Sequence, residues 1–176
     1  IDVLMLGSGR PFVVEISEPR VRSPDFDRIA KRIRKQSKRK VEVSELELTN
    51  RKRAQNLKDE ASQNIKEYEA IISVQGKVSK EDLNHVAEEF SGLEIQQRTP
   101  ARVAHRRSDL VRTKQIYEVR LEKKREGKIN GFFKVQGGTY VKELISGDDG
   151  RTTPSIAEKL GVLCECQELT VIAIYD

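Results

Sequence analysis

Apolar positions along the chain recur in two periods, and each change of period marks an element. Phe12-Val13-Val14-Glu15-Ile16 is a short β-branched run between Gly9-Arg10-Pro11 and Pro19, which predicts a strand. Ser23-Pro24-Asp25 then sets a capping residue, a first-turn proline and an acid in helix-opening order. Phe26, Ile29, Ala30 and Ile33 follow at helical spacing, with Arg28, Lys31, Arg32, Arg34 and Lys35 on other faces, a basic amphipathic helix. From Val41 to Thr49 the pattern alternates but changes phase between Val43 and Leu46, which predicts an extended segment bulged near Ser44-Glu45. Residues 50–64 are polar with weak helical spacing, and Tyr68, Ala70, Ile72 and Val74 alternate as a strand with one buried face.

Ser79 and Asp82 form a capping pair ahead of a stripe made by Leu83, Val86, Ala87 and Phe90, and Gly92 ends that helix. Between Leu110 and Lys123 the alternation puts Val111, Tyr117, Val119 and Leu121 on one face of a long strand. Arg112, Lys114, Glu118, Arg120 and Glu122 fall on the other. Lys128 to Gln136 completes a hairpin across Arg125-Glu126-Gly127. Thr139–Ile145 and Pro154–Leu160 read as short helices, and Leu169–Tyr175, apolar on both faces, as a central strand. With no regular βαβ beat, repeat or glycine-rich nucleotide fingerprint, the pattern is that of an α+β fold. Its sheet is mixed and mainly antiparallel, with helices on its back.

Length and composition narrow the class. A chain of 176 residues can bury roughly two thirds of the surface it exposes when unfolded, so a single domain over residues 1–176 is the simplest organisation. The 33 Lys and Arg against 28 Asp and Glu leave a net charge of +5, which matters because the excess is clustered. Cys164 and Cys166 stand without a second cysteine pair, and His85 and His105 are remote, so no metal site and no cofactor is expected. No apolar run approaches the ~18 residues of a membrane helix, and no leader is evident; a soluble, reducing, cytoplasmic setting is the expectation. The sequence opens on Ile1-Asp2-Val3-Leu4 without Met and reads like the interior of a folded segment, so an upstream part is expected to be removed or carried separately.

The densest chemical signal is Lys134-Val135-Gln136-Gly137-Gly138-Thr139-Tyr140-Val141-Lys142-Glu143-Leu144, followed by Gly147-Asp148-Asp149-Gly150. A strand ends at two glycines that permit an abrupt turn, and a helix starts with Thr139 as its expected cap. Tyr140 and Lys142 then project from a rigid strand-to-helix junction. The alternative is an ordinary turn with a buried tyrosine.

This segment resembles the glycine-threonine-tyrosine, aliphatic, basic motif of the bacterial T-loop pseudouridine synthases and of dyskerin. Closer still, it resembles the archaeal and eukaryotic family of tRNA pseudouridine synthases that act on the T-arm loop. The match runs through Gly138 to Glu143, Gly147-Asp148, Gly150-Arg151-Thr152 and Pro154, and at the other end through Asp2-Val3, Met5-Leu6-Gly7 and Gly9-Arg10-Pro11-Phe12. Residues 25–95 carry little of it.

The resemblance implies a pseudouridine synthase-like sheet flanked by helices and a cofactor-free isomerase. Its substrate would be uridine at one or both of positions fifty-four and fifty-five of tRNA. The family's amino-terminal motif resembles Arg-Glu-Asp, an aliphatic residue, then Asp-Val, with its first aspartate as nucleophile. In that register the nucleophile is expected just before Ile1, with Asp2 as its neighbour and the weaker candidate. Lys142 matches the family's basic residue, the cation that keeps the carboxylate ionised. A flipped base needs an aromatic face, for which Tyr117 and Tyr140 are the candidates, although sheet core is the other reading of Tyr117.

Two basic stretches suit a phosphate backbone. Arg28 to Lys40 holds eight Lys or Arg and no acid, the other reading being a solvated helix face. The second, Arg98 to Lys114, holds Arg98, Arg102, Arg106, Arg107, Arg112 and Lys114 around His105 with Asp109 as its one acid, and Arg10 and Arg151 from the family-matching ends complete the expected RNA-contact set. The expected partner is tRNA, together with an upstream domain or separate chain that supplies the catalytic aspartate. A non-catalytic tRNA-binding module, or a fragment lacking that aspartate, is the alternative. A ribosome-associated basic protein is a third, which the Gly-Thr-Tyr-Val-Lys turn disfavours.

Overall fold

The computed structural model describes residues 4–5, 9–125 and 127–175; the side chains of residues 4, 5 and 58–63 lie outside that description. Two compact units emerge, one of residues 11–58 and the other of residues 1–10 with 59–176.

In the smaller unit, helix α1 (Phe26–Gln36) is capped by Asp25, whose Oδ1 accepts the Arg28 amide at 2.9 Å. The opening therefore falls two residues beyond Ser23, with the acid as the cap. Neither extended run forms a strand: 9–16 and 41–50 carry no ladder, and Val14 and Ile16 remain 68% and 72% exposed. A β-branched run specifies only one side of a pairing, and without a partner strand it stays irregular. No described residue from 11 to 57 is buried, so this unit has no core of its own. Helix α2 (Arg51–Gln63) starts where the Asn50 side chain accepts the Arg53 amide at 3.0 Å, and leads into the larger unit.

Among the described residues the larger unit is built on a sheet of seven strands: β1 (Leu4–Met5), β2 (Ile65–Gln75), β3 (Glu94–Arg98), β4 (Val111–Arg125), β5 (Lys128–Gln136), β6 (Thr152–Thr153) and β7 (Leu163–Tyr175). They lie in the order β1-β7-β2-β5-β4-β3-β6, antiparallel except for β1 on β7. The mixed, mainly antiparallel α+β architecture is thus as its pattern indicates, with β5 rather than β7 at the centre. Strand β7 also starts earlier than Leu169 and takes in both cysteines, Cys166 opposite Ile72 and Cys164 opposite Val74.

Helices α3 (Lys80–Phe90), α4 (Val141–Ser146) and α5 (Ile156–Leu160) pack on one face of the sheet. The core between them comprises Ile72, Leu83, Phe90, Ile95, Ile116, Phe133, Leu144, Ile145 and Ile156 with their neighbours. Ser79 and Asp82 form the reciprocal capping box of α3, and Ser155 with Glu158 does the same for α5, leaving Pro154 outside the helix. The opposite face is a charged ladder, with Lys134 on Glu67 at 3.3 Å and the Arg120 guanidinium 3.9 Å over Phe132. It holds a shallow cleft of ≈ 480 Å³ lined by such residues as Glu69, Glu122 and Lys124.

The faces of β4 depart from simple alternation. A register shift between Ile116 and Glu118 makes the buried series Lys114, Ile116, Val119 and Leu121. One inserted residue inverts every later side chain, so Tyr117 stands 38% exposed on the bulge and is not a core neighbour of Val119. Lys114, expected on the wet face, is 8% exposed. Among the described residues no helix is long and apolar enough to cross a membrane.

Candidate functional site

The turn after β5 is held by buried polar groups from β3 and β4. Gly138 has φ +79°, a left-handed backbone that glycine adopts without strain. Thr139 does not cap α4: its hydroxyl donates back to the Gln136 carbonyl at 2.7 Å and braces the turn, so Tyr140 is the N-cap residue, with no side-chain cap bond. Gln97, 1% exposed, grips the Tyr140 backbone, its Oε1 accepting the Tyr140 amide at 2.9 Å and its Nε2 donating to the Tyr140 carbonyl at 3.0 Å. The same Nε2 is 3.2 Å from the Thr152 hydroxyl. Lys114 Nζ donates to the Gly137 carbonyl at 2.8 Å.

A second set of bonds ties the 101–110 segment to this turn. Arg102, on a 3-10 helix (Ala101–Arg106), donates through Nε to Oε1 of buried Glu143 at 2.7 Å. Asp148 accepts the Ala101 amide at 2.9 Å. Arg151 donates to the Thr99 carbonyl through Nε at 2.9 Å and Nη2 at 2.8 Å, and reaches Asp109 at 3.0 Å. The Arg98 guanidinium also binds Asp109 and holds its carboxyl below the usual carboxylate range. Arg112 donates to the hydroxyl of Thr99, itself fully buried, at 3.2 Å.

The residues singled out by sequence therefore fall into separate groups. Arg102, Arg112, Lys114 and Arg151 make bonds inside the fold. His105, Arg106 and Arg107 are exposed and make no ion pair among the described residues. Tyr140 and Lys142 are half-buried on the turn and the first residues of α4, while Tyr117 is on the β4 bulge. Asp2 lies outside the described residues. Lys142 sits close enough to Cys166 of β7 for its charge to act on that thiol. Burial raises the Cys166 thiol to about 11, Lys142 drawing it back and Glu143 and Glu165 adding to the rise.

Arg10, within the family-matching Gly9-Arg10-Pro11-Phe12 segment, joins a cluster that sequence reading does not find. Lys66 of β2 is half-buried and its pKa is lowered by burial, then by Arg10 and Lys114. Lys114 is lowered by burial, then by Arg112. Two residues along β2, Tyr68 is 9% exposed; burial raises its hydroxyl pKa while Arg10 opposes the rise. The one available signal was phase: Lys66 and Tyr68 alternate with Ala70 and Ile72, and Gln97 with Ile95, so polar groups stand in core positions. Among the described residues no three His, Cys, Asp or Glu side chains gather as a metal-binding group.

A mainly antiparallel sheet with helices on one face and a braced Gly-Gly-Thr-Tyr turn defines a pseudouridine synthase-like α+β fold. A chain in the crystal structure of a Cbf5-Nop10-Gar1 complex superposes with a TM-score of 0.52 at 29% identity, over 65% of this chain and 32% of that one. Residues 1–175 match the family described as Pus10, C-terminal, and the chain belongs to that family. Proteins called tRNA pseudouridine synthase Pus10 are 43% identical in Methanocaldococcus jannaschii, over 100% of this chain and 38% of the relative. The figures are 44% identity, over 100% and 40%, in Thermofilum pendens. The chain spans less than half the length of these curated relatives.

Proposed function

We propose that this chain is the carboxy-terminal part of the catalytic domain of a tRNA pseudouridine synthase that converts uridine to pseudouridine in the T-arm loop. The relatives' names support the activity. The observation that carries it to this site is the convergence of two motif ends on one strand. β1 pairs with Thr170–Val171 of β7, and α4, which carries Lys142, packs on the same strand.

In this reaction the bond between ribose C1′ and uracil N1 breaks, the base turns, and C1′ bonds to C5. The C5 proton leaves and N1 gains one, so atoms balance without an oxidant or reductant. The acid is the aspartate that the family pattern places before Ile1. Lys142 is the cation that favours its ionised form. Tyr140, at the mouth of the turn, offers a face for the flipped base; Tyr117, exposed on its bulge, is the other candidate. Arg106, Arg107 and His105 present charge to the RNA backbone, the contact that brings the tRNA to the site.

The test is a protein extended upstream through the family's Arg-Glu-Asp and any preceding RNA-binding domain. Tritium release from C5-labelled uridine in an unmodified tRNA transcript reports turnover. Release from the extended protein, lost when that aspartate becomes Asn, is the expected result; no release from either sinks the proposal.

A further inference from the structure

Several acids of the larger unit already hold a basic partner. Buried Glu143 is bound by Arg102, Glu67 by Lys134, and Asp109 by Arg98 and Arg151. Lys66 and Lys114 have no carboxylate partner among the described residues. They stand on either side of the end of β5, on the sheet face that carries the helices. Lys66 is paired across Val135, and Lys114 binds the carbonyl of Gly137 two residues further on. That carbonyl is a neutral acceptor, which solvates the ammonium of Lys114 without balancing its charge. Arg10 adds a third cation within electrostatic reach of Lys66.

The two ammonium groups of Lys66 and Lys114, in a half-dry site, are costly unless an anion completes them. Among the described residues, Glu67 is engaged by Lys134 on the opposite face and Glu143 by Arg102. Gly138 keeps the site open: a Cβ there would come within 3.3 Å of Lys114 Nζ.

We propose that Lys66 and Lys114 form an anion site beside the Gly137–Tyr140 turn that takes one backbone phosphate of the RNA, next to the uridine being modified. A phosphodiester carries one charge on two free oxygens, one for each ammonium. The site lies beside the turn that presents Tyr140, so a phosphate held there fixes the strand while the base is turned out. This rests on the RNA-modifying reading above, and names a contact that none of the exposed arginines supplies.

The test uses the 176-residue chain and T-arm stem-loop RNAs, each carrying a single uncharged methylphosphonate linkage at a different step around the target uridine. With wild type, one linkage should weaken binding about tenfold while its neighbours have little effect. With Lys66→Met that selective loss should vanish, overall affinity should fall by about the same factor, and the slope of log K against log salt should drop by about one. Lys66→Arg should restore the linkage dependence. Thermal melting of each variant separates a folding defect from a binding one, and Lys66 is chosen because it is only half-buried. Wild-type affinity and slope in Lys66→Met would overturn the site, and so would a loss coupled to no single linkage. Because the assay reads binding alone, the site can fail while C5 tritium release succeeds, or hold while it fails.

Discussion

Gln97 holds the main chain of Tyr140 at both its amide and its carbonyl, as a neighbouring strand would, although the two residues are 43 positions apart. The Tyr140 carbonyl also accepts the Leu144 amide at 2.9 Å, so it is the Tyr140 amide that depends on the Gln97 side chain, itself 1% exposed. Gln97→Leu should therefore leave the Tyr140 amide unpaired at about 1–3 kcal/mol, lowering Tm by roughly 3–10 °C for a chain of this size. Differential scanning calorimetry measures it. A Tm within a degree of wild type would mean that the turn is held elsewhere.

The basic residues of the 98–114 stretch divide by what they touch. Arg106→Ala with Arg107→Ala should leave Tm nearly unchanged and lower the salt slope of tRNA binding by about one per lost phosphate contact. Arg102→Ala should do the reverse. It strips the buried Glu143 carboxylate of its partner, which costs about 1–3 kcal/mol because Arg102 itself is partly exposed, and it should leave the salt slope close to wild type. Fluorescence anisotropy at several salt concentrations, run beside thermal melts, separates the two. Equal slopes for both variants would remove Arg106 and Arg107 from the RNA surface.

What was legible in the sequence was local. The Ser79–Asp82 capping box and the hairpin across residues 125–128 depend on residues a few positions apart, and both form. The Phe12–Ile16 run has the composition of a strand but no partner, and pairing is not a property of one segment. Tyr117 was misplaced for a related reason: the bulge that turns it outward is set by how β4 registers on β5, which alternation along β4 alone does not encode. The candidate site shows the same division. The Gly-Gly-Thr-Tyr-Val-Lys motif marks the turn and α4, but the groups that brace it, Gln97 and Lys114, arrive from 43 and 23 residues away. Arg102, Arg112 and Arg151 look in sequence like RNA contacts because exposed and internally bonded arginines share one composition.

Both thiols should be inert at neutral pH. Burial raises Cys164 and Cys166 to about 11, so the thiolate fraction in the folded chain is small until the pH approaches that value. Because the neutral thiol is the form that burial favours, each cysteine contributes stability below the ordinary thiol pKa of about 8.5, lost as pH rises through about 11. Iodoacetamide at pH 7.5 should alkylate neither cysteine in the native chain and both in denaturant, read by intact mass. Rapid native labelling of Cys166 would show that Lys142 acts on that thiol more strongly than burial does.

The position of Lys142 separates its role from RNA binding. It lies in the first turn of α4, which packs on β7, the strand that also receives β1, while the exposed arginines of the 101–107 segment belong to a different element. In the upstream-extended protein, Lys142→Ala should cut the rate of pseudouridine formation by two orders of magnitude or more, on the order of 3 kcal/mol of lost transition-state stabilisation. The dissociation constant for tRNA should stay within about threefold. The carboxylate that loses its cation is harder to ionise, so the pH–rate profile of the variant should shift its acidic limb upward, and Lys142→Arg should recover part of the rate. A residue with a purely structural role would lower rate and stability together and leave the limb where it was. Asp2→Asn in the same protein should be milder than loss of the aspartate before Ile1. Full activity in the unextended chain, abolished by Asp2→Asn, would instead make Asp2 the nucleophile and move the motif register by two residues.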